Sequence, residues 1–367
     1  MKIPWWQPRV EKEDYAFIRE VLDRNFINEG PLVERFEKAI IQISGSTHAV
    51  ATTNCTSAMF LSLKALGIKA GDEVLVPDIT FIATANAVTL TGATPILVDV
   101  RKDDLTIDLT AAKRAISKKA KALIPVHVSG RGADMKAILT FAKTHGLFVV
   151  EDAAEALGSR QTNRQLGTFG IAGCFSFAAN KTVATGQGGM VITNDNGLAG
   201  KMRALRNQGR QSRGTGGDDI HDTIGFNFRM TDLQAGAGLG QLVHFKERVA
   251  RMRRNFKLYR KELANIKTLR VYPTDIEHGA IPQWTDIETE RRDVLERYLR
   301  SRNIDCRKYW FPIHRQKAYR RPDTHFPNST RLSPRSLWLP SAFTLTDEDV
   351  LTVCGEIKNF FAASKQK

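Results

Sequence analysis

Phe175-Ser-Phe-Ala-Ala-Asn-Lys-Thr-Val-Ala-Thr-Gly-Gln-Gly-Gly-Met190 sets a single lysine, Lys181, between an apolar strand-like run and a glycine-rich turn. Upstream, Leu147-Phe-Val-Val150 passes through Glu151 into Asp152, so a carboxylate closes a second apolar strand. Continuous apolar strands of this kind belong to sheets buried on both faces, and ligands gather beyond their carboxyl ends. Few chemistries want an amine and a carboxylate presented together at such an edge. One is a Schiff base to pyridoxal phosphate, with the amine for the aldehyde and the carboxylate for the ring nitrogen.

Working outward, short apolar runs alternate with helical patterns. The strand candidates are His48–Thr52, Glu73–Pro77, Pro95–Val100, Ala122–His127, Leu147–Glu151, Gly173–Phe177 and Gly189–Thr193. Helical patterns cover Ser57–Leu66, Thr80–Thr91, Thr110–Lys118 and Asp134–His145, with Thr110 and Asp134 as N-caps. Alternation of this sort predicts crossover connections and a mainly parallel sheet covered by helices. A long helix is expected over Leu233–Leu263. Beyond it come a strand at Gln283–Ile287, a helix at Arg291–Arg302, a strand near Ile304–Lys308 and a final helix over Asp347–Phe361. The reading is therefore α/β, with a large domain over residues 1–245 and a smaller α+β domain over 246–367. The glycine-rich, charged stretch Arg210–Asp222 reads as a surface loop.

Several residues near these strand ends suit chemistry. A lysine is a poor nucleophile at its free pKa of roughly 10.4, and burial or neighbouring charge frees the amine. Asp152 would hold a pyridinium nitrogen protonated; its plain alternatives are a helix cap or a salt bridge. Glu155 lies one helical turn on. Asn54-Cys-Thr-Ser-Ala58 joins a strand to a helix, where free amides and the Thr56 and Ser57 hydroxyls suit a phosphate. Ser176 is a further hydroxyl at a strand end, and Phe81 is an aromatic that can stack on a flat ring. Gly186, Gly188 and Gly189 are expected to form a tight turn.

Other classes are disfavoured. The nucleotide loop GxxxxGK[ST] is absent, and Gly167, Gly170 and Gly173 are spaced three apart rather than as GxGxxG. Asp218-Asp219-Ile-His221-Asp222 fits no metal-ligand spacing, so no metal is expected. Cys55, Cys174, Cys306 and Cys354 include no CxxC pair and read as reduced thiols of a cytoplasmic protein. The start of the chain has no apolar signal-peptide core. The longest uncharged run, Ile79–Val98, contains Pro95, Gly92 and five threonines, and reads as helix, turn and strand rather than a membrane span. A net charge of +15 suggests anionic partners. No nucleic-acid recognition motif accompanies it.

The pieces also occur in a familiar order. The segments are Asn28-Glu-Gly-Pro-Leu-Val-Glu-Arg-Phe-Glu37, Asn54–Ala58, Gly71-Asp-Glu-Val-Leu-Val-Pro77 and Thr80-Phe-Ile-Ala-Thr-Ala-Asn86. They continue with Pro125-Val-His127, Glu151-Asp-Ala-Ala-Glu-Ala156, Phe175–Met190, Gly225-Phe-Asn-Phe-Arg-Met-Thr231 and Phe311-Pro-Ile-His314. From Phe26 to Phe361 the chain resembles the DegT/StrS family of pyridoxal phosphate-dependent nucleotide-sugar aminotransferases. That resemblance implies the aspartate-aminotransferase-like fold type I. By position it implies Lys181 as the cofactor-bearing lysine and proton shuttle, with Asp152 as the pyridinium partner. It sets Phe81 against the ring and Glu155 beside it, and Cys55, Thr56 and Ser176 at the phosphate. Asn227 would come from the neighbouring subunit of a homodimer with shared active sites.

The implied substrates are L-glutamate and a nucleotide-linked keto-sugar, with Arg229 and His314 facing the sugar. One branch of the family replaces the lysine with histidine and dehydrates sugars; this chain keeps Lys181. Asn-Lys before Thr-Gly-x-Gly-Gly-Met is similar to the branch that aminates C4 of a 4-keto-6-deoxyhexose linked to GDP, dTDP or UDP. Such enzymes serve deoxyamino-sugar synthesis for surface glycans such as O-antigen. Residues 266–287 are shorter than the family pattern.

Overall fold

The computed structural model describes residues 2–211 and 219–363. Its main sheet is built from β1 (His48–Thr52), β2 (Glu73–Pro77), β3 (Thr94–Val98), β4 (Ala120–Leu123), β5 (Phe148–Asp152), β8 (Ala172–Ser176) and β9 (Gly189–Thr193). A two-stranded hairpin, β6 (Arg160–Gln161) and β7 (Arg164–Gln165), lies between β5 and β8. The order across the main sheet is β1-β9-β8-β5-β4-β2-β3. Only β9 runs antiparallel to its neighbours. The period of two along each strand divides the apolar residues between two layers. Val50 and Val191 pack with Met59, Leu61 and Val150 on one face. Ala49, Ala51, Met190 and Ile192 pack with Leu32, Phe36 and Phe177 on the other.

Most expected elements form, with shifts that have local causes. β4 ends before Pro125, which has no N–H to give a ladder. Val126 then makes only an isolated bridge to Asp152. The helix predicted from Thr110 is capped instead by Asp108, whose side chain accepts from the Thr110 amide at 2.8 Å. Asp134 does cap its helix, accepting from the Ala137 amide at 3.1 Å. The long helix expected over Leu233–Leu263 is two helices, Asp232–Val243 and Phe245–Leu263, which meet at His244. His244 takes φ −96° and ψ 8° there and bonds Glu13 at 3.0 Å. The helices Lys12–Asp23 and Pro31–Ser44 were outside every expectation; both pack against Asp232–Val243. A Cβ on Gly240 would stand 2.6 Å from Asp14 backbone atoms, so glycine permits that close approach.

A second sheet follows, with β10 (Arg270–Val271), β11 (Thr285–Glu288), β12 (Arg307–Lys308) and β13 (Ser336–Leu339) in the order β10-β11-β13-β12. All its pairs are antiparallel. β13 was not anticipated. Its core joins Tyr259, Leu263, Leu295, Leu299 and Ile357. Ile3 pairs with Ile304, so the start of the chain packs here too. Of the predicted loop Arg210–Asp222, and of the acidic cluster within it, residues 212–218 lie outside the described residues.

A buried ion pair ties the chain beyond β4 to the second sheet. Arg131 donates to both Asp286 oxygens, at 3.1 and 2.8 Å, with both side chains almost wholly buried. Burial opposes the guanidinium charge, and Asp286 outweighs it, so Arg131 is held more firmly protonated than usual. Asp286 also accepts from Ser129 Oγ and Tyr309 at 3.0 Å each. Arg131→Ala should cost about 3–5 kcal/mol in chemical denaturation, because it leaves a buried charge alone. Replacing both partners with apolar residues should cost less than that single change.

Candidate active site

The carboxyl ends of β5 and β8 and the start of the helix Cys55–Ala65 open onto one cleft of about 280 Å³. Lys181, Asp152, Glu155, Cys55, Thr56, Phe81 and Ser176 all line it. Lys181 follows β8 in the turn that leads to β9. Its Nζ donates to Glu155 Oε1 at 3.1 Å and lies 5.5 Å from the Trp284 ring centroid. Its side chain is 12% exposed, so the amine is held but reachable.

Glu155 is fixed from three sides. Oε1 also accepts from Trp284 Nε1 at 2.8 Å, and Oε2 accepts from the Ser129 amide at 2.8 Å. Ser129 has φ +55°, a conformation uncommon for a residue with a Cβ. Its hydroxyl explains how it is kept there: it donates to Asp286 and accepts from Trp338 Nε1 at 3.1 Å.

Asp152 ends β5 and is buried. Its partners are neutral: Thr84 Oγ1 donates at 2.7 Å and the Ala154 amide at 3.1 Å. Burial pushes its pKa above the ordinary aspartate value; the two hydrogen bonds and Lys181 pull the other way, and Glu155 adds to the rise. A buried carboxylate without a cation in direct contact is costly. It is suited to meet a cationic N–H brought by a ligand.

The helix Cys55–Ala65 begins with Asn54 as cap, whose Oδ1 accepts from the Ser57 amide at 2.9 Å. The first amides of a helix have no partner within it, and the dipole favours an anion there. A Cβ on Gly189 would fall 2.3 Å from the Asn54 carbonyl carbon, so β9 reaches this turn only as glycine. Ser57 does not line the cleft; its hydroxyl bonds Thr53 at 3.2 Å. The Cys55 thiol is pushed well up by burial and by Asp152, and so stays protonated. Phe81 is 55% exposed above the cleft. These residues fit a phosphorylated pyridine aldehyde: an amine, a carboxylate for a ring N–H, an aromatic face and a helix start for phosphate.

Other expected residues lie elsewhere. His314 is fully buried and does not face the cleft. Its Nδ1 bonds Asp78 at 2.6 Å and its Nε2 bonds Asp323 at 3.0 Å, so two carboxylates hold it inside. Asp78 precedes the Thr80–Phe81 turn, and the chain of hydroxyls Thr80–Thr84 leads on to Asp152. Arg229 is half-buried and Asn227 exposed; neither lines the cleft of its own chain. Asn227 pairs through its backbone with Asn207. The three-apart glycines are packing sites, since a Cβ on Gly170 would lie 2.2 Å from Val149 O. Cys55, Cys174, Cys306 and Cys354 are unpaired and buried. No metal-binding group occurs among the described residues, and no described helix is long and apolar enough to cross a membrane.

Sequence reasoning missed Thr84, Trp284, Trp5, Trp310, Trp338 and Arg307. Thr84 stands one helical turn after Thr80 inside a segment already singled out, which was the available signal. The tryptophans and Arg307 come from three distant parts of the chain.

Comparison with known proteins places these features in context. A family model described as the DegT/DnrJ/EryC1/StrS aminotransferase family matches residues 8–358. The chain is 35% identical over 369 residues to GDP-perosamine synthase of Escherichia coli O157:H7, covering 98% of this chain and 99% of that one. The structure of S. venezuelae DesV in complex with a ketimine intermediate superimposes with a TM-score of 0.90 at 34% identity, covering 95% and 94% of the two chains. DesI in the presence of its TDP-sugar product gives 0.91 at 30% identity, with 100% and 94% covered.

Proposed function

The chain belongs to the DegT/DnrJ/EryC1/StrS aminotransferase family, and from that premise we propose that it moves the amino group of L-glutamate to a nucleotide-linked keto-sugar. The sugar is a 4-keto-6-deoxyhexose carried by GDP, dTDP or UDP, in keeping with the relative named GDP-perosamine synthase. The observation that carries the reading is one reachable amine, Lys181 Nζ, sharing a cleft with a buried carboxylate, Asp152, that has only neutral hydrogen-bond donors. Residues 1–245 would hold the cofactor and 246–367 would form the smaller domain.

Pyridoxal phosphate, when bound, supplies an aldehyde for the amine and a ring that takes up electrons. Lys181 would hold that aldehyde and, once displaced by the amino donor, move a proton from the donor Cα, acting first as base and then as acid. Asp152 would keep the ring nitrogen protonated, and Glu155 would hold Lys181 Nζ in place between these steps. The Cys55 and Thr56 amides, with Ser176, would hold the phosphate, and Phe81 would cover the ring. Asn227, exposed on its own chain, would complete the phosphate site of a second copy, and Arg229 would meet substrate across that homodimer. His314 is better suited to bracing Asp78 than to touching the sugar.

The test is to load the protein with pyridoxamine phosphate and add a panel of nucleotide-linked keto-sugars. The matching sugar should restore the absorption of the aldehyde form. A sugar consumed only by dehydration, without an amino product, would replace transamination with the dehydratase reading.

A further inference from the structure

The aromatic wall of the cleft enters the chemistry above only through Trp284, which braces Glu155. Trp5, Trp6, Trp284, Trp310 and Trp338 are all the tryptophans of the chain, and they form one contact group. Trp5 stacks on Trp284 with ring centroids 4.6 Å apart, and Trp310 meets Trp338 edge to face at 4.9 Å. Arg307 lies on this wall. Its guanidinium carbon stands 5.0 Å from the Trp5 ring centroid and 5.6 Å from that of Trp338. The register explains the placement: Arg307 is directly opposite Trp338 across β12 and β13, so both side chains leave the same face.

Arg307 differs from the cation beside it. Lys308 is paired with Asp293 at 2.9 Å and Glu296 at 3.4 Å. Arg307 is exposed, has no carboxylate partner among the described residues, and lines the same cleft as Lys181. A guanidinium resting on indole faces is fixed in orientation while the N–H fork in its plane stays open. Lys181 stands at the far end of the same stack, 5.5 Å from the Trp284 ring. The two cations thus bracket the Trp284–Trp5 pair, the amine inside and the guanidinium outside.

Resting on the nucleotide-sugar reading, we infer that Arg307 receives the diphosphate of the second substrate and so sets its affinity apart from that of the amino donor. A guanidinium fork suits phosphate and carboxylate alike. The indole wall decides between them, because flat apolar faces next to the anion site match a ligand that joins its anionic group to rings. An amino-acid donor brings a carboxylate without such rings.

The experiment compares wild type with Arg307→Gln and Arg307→Lys. Binding of GDP, dTDP and UDP is read by quenching of tryptophan fluorescence, which needs no turnover. The glutamate half-reaction is followed separately by cofactor absorption. The wild type should bind at least one of these diphosphates, and Arg307→Gln should weaken that binding at least tenfold. The glutamate half-reaction should change far less, and Arg307→Lys should fall between. Diphosphate binding that is absent in wild type or unaltered in Arg307→Gln would overturn the inference. So would a glutamate half-reaction that falls by the same factor, since Arg307 would then serve the carboxylate. A wild type that binds diphosphate yet ignores glutamate would instead overturn the aminotransferase reading.

Discussion

Lys181→Ala is expected to lower turnover by roughly 10²–10⁴-fold, the scale of a lost general acid–base group, and to abolish covalent attachment of the cofactor. Among the described residues Lys181 is the one lysine that lines the cleft, so no described neighbouring amine can substitute. The fold should survive the change. Glu155 keeps its bonds from the Ser129 amide and Trp284 Nε1, and therefore is not left unsatisfied. Steady-state rates, cofactor absorption and thermal melting measured together separate loss of chemistry from loss of fold. A small primary amine added to Lys181→Ala should recover part of the rate. Lys181→Arg should not rescue it, because a guanidinium stays protonated.

Asp152→Asn is the second large effect. It should slow turnover by roughly 10²–10³-fold, the scale of removing one preorganised electrostatic partner. Its effect on stability has the opposite sign in the cofactor-free protein. Burial raises the Asp152 pKa, so the native state binds this proton more tightly than the unfolded chain does. The resulting destabilisation is absent below the ordinary aspartate pKa of about 3.9 and grows as pH rises from there through the raised value. It is complete only once pH exceeds that raised value. Cofactor-free Asp152→Asn should therefore melt at or above the wild-type temperature at pH 7, and the gap should close on acidification. With pyridoxal phosphate bound, the wild type should be the more stable of the two. Melting curves with and without cofactor across pH check both signs.

The sequence announced the parts of this site that are local. Strands such as Glu73–Pro77 and Gly189–Thr193 are continuous apolar runs bounded by turn residues, and they form where expected. Asp152 ends one strand, the Asn54–Thr56 turn comes after another and Lys181 lies in the turn after a third, so one topological rule gathers them. Depth is harder to read. His314 belongs to a recognisable segment, yet nothing in Phe-Pro-Ile-His tells that Asp78, far earlier in the chain, will draw it inward. The break at His244 depends on Glu13 and on glycines that let another helix approach, which are tertiary facts. The tryptophan wall is assembled from residues 5–6, 284 and 310–338, and no local pattern joins them.

Borohydride reduction of the pyridoxal phosphate-loaded protein, followed by peptide mapping, tests most directly whether the ε-amino group of Lys181 carries the cofactor. A phosphopyridoxyl group fixed on the peptide containing Lys181, and absent from it after preincubation with glutamate, is the predicted result. Label on another lysine, or none at saturating cofactor, would contradict it.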